Sequence, residues 1–192
     1  MSRRSLLNIL SEDEQSLERV WDWFEFQRAL IGEEKSRVFG AIAWGGHLDA
    51  PRYQFKTREE LDAEFTMHLS ELEWVTMLSL LSSAEATLRV DFVVRVREKL
   101  KDNVSRRFHD IFKRRGINKI RLEEDILDCW RDCGSKIGVK TAVSAFKGAL
   151  NLRNWLAHGR WWRPKLGQAD GYDPIDVFEI CQELLRTTEQ VA

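Results

Sequence analysis

The chain has 192 residues, 43% of them hydrophobic and 32% charged, with a formal net charge of −1. That apolar content suits one globular core of ordinary size and excludes a chain disordered throughout. No stretch approaches the ~18 consecutive apolar residues of a membrane span, and the N-terminus MSRRSLLNILSEDEQ lacks the sustained apolar run of a signal peptide. The expected compartment is therefore the reducing cytoplasm.

In chain order, Ser11 is the first predicted helix cap, with Glu14 three residues on in the capping-box pattern. Leu17, Val20, Trp21, Phe24, Leu30 and Ile31 then recur at helical spacing as far as Gly32, the predicted stop. Gly40, Gly45, Gly46 and Pro51 mark residues 40–56 as loop. This divides the sequence into an N-terminal helix and loop, residues 1–56, and a main domain, residues 57–192. Thr57 and Glu60 form a second capping-box pattern. Residues 70–100 contain no glycine or proline and read as one long helix, open to a single break near Ser82-Ser83. A shorter helix, 103–115, ends at Gly116, with Lys113, Arg114 and Arg115 suiting the dipole of its last turn. Residues 121–133 and 139–158 read as two more helices, and Asp173-Pro174 starts a last one, with proline in its first turn. The only alternating stretch, VDFVVRV, lies inside a helical run. The reading is an all-α bundle with one antiparallel helical core.

Charge is unevenly placed. Residues 1–75 carry nine Lys/Arg against fifteen Asp/Glu. Residues 95–121 carry eleven Lys/Arg, opposed only by Glu98, Asp102 and Asp110. The basic middle is either a polyanion-binding surface or a set of solvated helix faces. Cys129, Cys133 and Cys181 form no CxxC pair, and the four histidines are too dispersed to complete a zinc spacing. No metal and no cofactor is expected.

The most informative stretch is ALNLRNWLAHGRWWRPKLG, residues 149–167. Val143, Phe146 and Leu150 form an apolar stripe. Asn154 and His158 continue it at the same spacing, so the polar pair is expected to face inward or into a cleft. Arg153 lies about 140° around the helix from His158 and reaches the same cleft by its length. Gly159 fits the position just past a helix end. These groups suit RNA cleavage. A histidine can take the 2′-OH proton or protonate the 5′-oxygen near neutral pH. A guanidinium keeps its charge and can hold the phosphorane oxygens. Asn154 can orient His158 or a phosphate by hydrogen bonds. A single helix offers one histidine, and a two-fold dimer would offer the acid and the base together.

The segment RNWLAHG resembles the Arg-polar-x-x-x-His signature of the HEPN superfamily. FKGALNLRNWLAHGRWW, residues 146–162, and SSAEATLRVDF, residues 82–92, are similar to the RiboL-PSP-type group within it. The likeness covers roughly residues 70–190. It implies an up-and-down helical bundle, a homodimer with both motifs facing one cleft, and metal-independent endoribonuclease activity, in a toxin or a phage-defence effector. Arg153 and His158 would be catalytic and Asn154 supporting. An antitoxin or defence-system protein would be a partner, besides RNA. Relatives paired with a minimal nucleotidyltransferase antitoxin often carry a tyrosine two residues after the histidine. Here that residue is Arg160, so that pairing is not expected.

Further candidates stand beside this set. Arg160, Arg163 and Lys165, with Arg106 and Arg107, are candidate RNA contacts, the alternative being a solvated loop and solvated helix faces. Trp162 is a candidate for base stacking, the alternative being core or dimer packing. Trp155 reads as packing. Glu85 and Asp91 are candidate acids that reach across the bundle to orient Arg153 or His158. For Glu85 the alternative is an ion pair with Arg89 on its own helix. The rival to catalysis is a non-catalytic HEPN module that binds RNA or protein or serves dimerisation.

Overall fold

The computed structural model describes residues 15–45, 50–134, 138–163 and 171–189. Among the described residues six α-helices pack together and there is no strand. They are α1 (Leu17–Ala43), α2 (Arg58–Glu98), α3 (Asn103–Arg115), α4 (Asp128–Cys133), α5 (Val139–Ala157) and α6 (Pro174–Glu189). The central α2 touches α1, α3, α5 and α6. None of the described helices is long and apolar enough to cross a membrane.

Ser16 caps α1, its hydroxyl accepting the Arg19 N–H at 3.2 Å. Ser11 lies outside the described residues. The helix does not stop at Gly32; it runs through Gly32 and Gly40 to Ala43. An interior glycine costs about 1 kcal/mol relative to alanine. Burial of Val38 against Tyr53, Leu61 and Phe65, with Ile31 and Ile42 packed alongside, outweighs that cost. The loop expected over 40–56 therefore starts later, and α1 and α2 form a helical hairpin on either side of it. The Thr57–Glu60 capping box is present, with bonds of 2.7 and 3.2 Å. The 41 residues of α2 pass Ser82-Ser83 without a break. Buried Ser83 donates to the Gln15 carbonyl, so the small polar residue marks where the start of α1 abuts α2. At the other end Lys35 pairs with Asp62 at 2.6 Å, which makes α1 and α2 antiparallel.

A buried polar knot fastens the end of α2. Arg95, 2% exposed, donates to both Asp91 oxygens at 2.7 and 2.8 Å and to Ser105 at 3.3 Å, with its guanidinium 4.9 Å from the Trp130 ring. Burial pushes the Asp91 carboxyl up, and Arg95 pulls it back. Asp102 caps α3, and Gly116 ends it at φ 70°, a backbone angle that favours glycine. The helix expected over 121–133 begins as a π-helical stretch, Leu122–Leu127, before tightening into α4. The wide turn shows in the Asp128 N–H, which bonds the carbonyl of Glu123, five residues back. Asp173 and Asp176 cap each other's backbone amides at the start of α6, at 3.2 and 2.8 Å.

The main core contains Phe92, Phe108, Trp130, Phe146 and Leu184, and it includes Leu17 and Val20 of α1. Cys129 and Cys181 are buried free thiols, their pKa values pushed up by that burial.

Candidate functional site

The apolar stripe of α5 is buried as its spacing predicts: Val143 and Phe146 are fully covered and Leu150 nearly so. Where the stripe turns polar, Arg153 and Asn154 are half-buried. Arg153 Nη2 donates to Glu85 Oε2 of α2 at 2.9 Å. The other Glu85 oxygen accepts from Arg89 Nε at 2.8 Å, and Arg89 Nη1 donates to the Ile120 carbonyl at 3.3 Å. Arg153 Nη1 bonds Asn154 Oδ1 at 3.3 Å, while its buried Nε has no partner among the described residues. Glu85 thus serves both its helix neighbour and Arg153. These side chains border a cleft of about 240 Å³ between α2, α5 and residues 121–124. Arg121 stands on its far wall and pairs with Glu124 at 2.9 Å.

Asp91 does not join Glu85. It lies six residues further along α2, about 240° around the helix, and is engaged by Arg95. The inward orientation expected for Asn154 and His158 holds for Asn154 alone. His158 is exposed and does not border the Arg153 cleft. The cause is the helix end. Gly159 takes φ 79°, its N–H meets the Leu156 carbonyl at 3.4 Å, and the Arg160 N–H meets the Trp155 carbonyl at 3.0 Å. That is a Schellman turn with His158 as the capping residue. The imidazole takes no hydrogen-bond partner among the described residues, and its ring lies 6.3 Å from that of Trp162.

The aromatic-basic tail divides in two. Trp155 is packing: it meets Trp74 edge-on at 6.2 Å and donates Nε1 to the Trp162 carbonyl at 2.6 Å. Arg160 is tied down as well. It bonds Glu71 at 2.9 Å and lies 4.1 Å from the Trp74 ring centre, so it is not an open phosphate contact. Trp162 is half-buried, whereas Trp161 is 81% exposed and Arg163 is exposed. Lys165 lies outside the described residues. Arg106 and Arg107 are exposed on α3, their side chains without ion pair or hydrogen bond among the described residues. Their helix packs near the far end of α2, where Phe108 meets Phe92, and no contact joins them to Arg153. The spacing of charges does not mark Glu71, Trp74 or Arg121 as neighbours of the motif. They arrive by long-range packing, and only Arg121 carries a signal, as a member of the basic run.

Among the described residues, no group of three or more His, Cys, Asp or Glu side chains could hold a metal ion. No protein family, curated protein or solved structure matches the chain. The class that fold and geometry define is an all-α protein, its described residues forming six packed helices.

Proposed function

We propose that the chain is a metal-independent endoribonuclease of the HEPN type, built as an up-and-down bundle and active as a homodimer. The observation that carries this reading is the end of α5. Arg153 is fixed by Glu85, and His158 stands open to solvent little more than a turn further on. In the proposed reaction one imidazole takes the proton of the ribose 2′-OH. The oxygen attacks the adjacent phosphorus, the bond to the 5′-oxygen breaks, and the second protomer's imidazolium protonates that oxygen. The products are a 2′,3′-cyclic phosphate and a 5′-hydroxyl. Arg153 steadies the phosphorane charge, Asn154 supports it, and Glu85 positions the guanidinium. Exposed Trp161 offers a base-stacking surface beside the motif. The role that fits is a toxin or phage-defence effector held in check by an antitoxin or another defence protein. Incubation of purified protein with RNA in EDTA tests the chemistry. Cleavage should persist with chelator and vanish in His158→Ala; loss with EDTA, or survival in the variant, refutes it.

A second reading is favoured by one observation: His158 does not line the cleft that Arg153, Arg89 and Arg121 border. A non-catalytic module that binds RNA phosphates fits that separation. It predicts binding that weakens steeply with salt and no cleavage of any RNA offered.

A further inference from the structure

The outer face of α1 carries an apolar stripe with nothing packed on it among the described residues. Trp23, Phe26 and Leu30 are 43%, 60% and 44% exposed. They follow one another at intervals of three and four, so they form one seam, turned away from the buried Leu17, Val20 and Phe24. Val75 of α2, 48% exposed, widens it. Val75 lies two turns beyond His68, which borders the same groove as Leu30. Singly exposed apolar residues are ordinary; a contiguous aromatic seam on a helix marks a contact surface.

The charges at the ends of the seam identify what covers it. Arg19 continues the seam toward the N-terminus and Glu33 toward the C-terminus, at the same spacing. Both are exposed, and neither side chain has an ion-pair partner among the described residues. We infer that this face binds a second copy of itself, antiparallel, about a two-fold axis passing near Phe26. That register sets Trp23 of each protomer against Leu30 of the other, Phe26 against Phe26, and Arg19 against Glu33 at both ends. It brings no like charges together at the ends of the seam. A parallel pairing would oppose Arg19 to Arg19 and Glu33 to Glu33, which like-charge repulsion disfavours. An isologous interface requires a self-complementary surface of this kind.

The placement deepens the homodimer part of the function proposed above and rests on that reading only for its consequence. Gln15 meets Ser83 and Lys35 meets Asp62, so Phe26 stands level with the part of α2 near Leu72. Glu71, one residue away, holds Arg160 at the end of the motif. A two-fold axis at Phe26 therefore sets the two motif ends at the same height along the assembly.

Sedimentation velocity of the full chain over a concentration series tests the interface. The unaltered protein should be a dimer. Phe26→Glu should raise the dimer dissociation constant at least tenfold with an unchanged far-ultraviolet spectrum. Arg19→Glu and Glu33→Arg should each weaken association, and the Arg19→Glu/Glu33→Arg pair should restore it toward the starting value. A monomeric unaltered protein overturns the inference, whether residues 1–14 or another protein then covers the seam. So does a dimer indifferent to Phe26→Glu, or a double variant weaker than both singles. RNA cleavage is read separately. A dimer that follows these rules without cleaving RNA keeps the interface and removes the nuclease; an active enzyme whose dimer ignores Phe26→Glu does the reverse.

Discussion

Replacing Glu85 by glutamine removes the charge that α2 presents to Arg153 while keeping the side chain's shape. The carboxylate is 15% exposed, and its partners Arg89 and Arg153 are 43% and 33% exposed. Fully exposed pairs contribute about 0.2–1 kcal/mol, whereas breaking a buried pair costs about 3–5 kcal/mol. Solvent screens this cluster in part, so Glu85→Gln should destabilise the fold by about 1–2 kcal/mol. The melting temperature should fall by roughly 2–8 °C for a chain of this size. The sharper quantity is the coupling. Urea unfolding of Glu85→Gln, Arg153→Gln and the double variant should give an interaction term of about 1 kcal/mol. Effects that add to within about 0.3 kcal/mol would refute the bridge, and with it the claim that Glu85 positions the guanidinium.

Gly32→Ala should stabilise the protein by about 0.5–1 kcal/mol in the same assay, because Gly32 is helical and a Cβ there meets nothing within 4 Å. Gly159→Ala should do the opposite by about 1–2 kcal/mol: space is open, but φ is 79° and the Schellman turn needs that conformation. Trp130→Ala should cost about 3–5 kcal/mol, because the ring is fully buried between Arg95 and Phe108. Hydrogen bonds from Arg37 hold the Glu34 carboxyl down at about 2, below its ordinary 4.5. The folded value lies under the unfolded one, so this contribution is complete above pH 4.5 and disappears as pH falls toward 2. A urea midpoint measured across that interval should fall less in Glu34→Gln than in the unaltered protein.

Most helices were legible because their local signals agree with their burial. Thr57 with Glu60, Gly116 after three cations, and Asp173 before Pro174 each sit where the backbone needs them. Gly32 misleads because a glycine's local cost is small against the burial of Val38, six residues further along the same helix. Ser82-Ser83 misleads for a related reason, since buried Ser83 finds its partner in Gln15, far away in sequence.

The site was legible in part. Spacing places Asn154 toward a cleft that Arg153 reaches by its length, and Glu85 is among the acids expected to orient Arg153 or His158. Spacing could not place His158, because the helical angle holds only while the helix lasts, and the turn at Gly159 ends it. Nor could it pair Arg160 with Glu71, or Asp128 with Lys147 at 2.7 Å, because periodicity along one helix carries no information about its neighbours.

The two clusters along α2 have a consequence for how the molecule breathes. The first turns of this helix pack on the small group of Val38, Tyr53, Leu61 and Phe65, with the Lys35–Asp62 ion pair beside it, and the later turns on the large core. Amide protons of a single continuous helix should therefore trade with deuterium at two speeds, sooner near the hairpin tip and later beyond Met77, so that the tip can loosen while the rest stays closed.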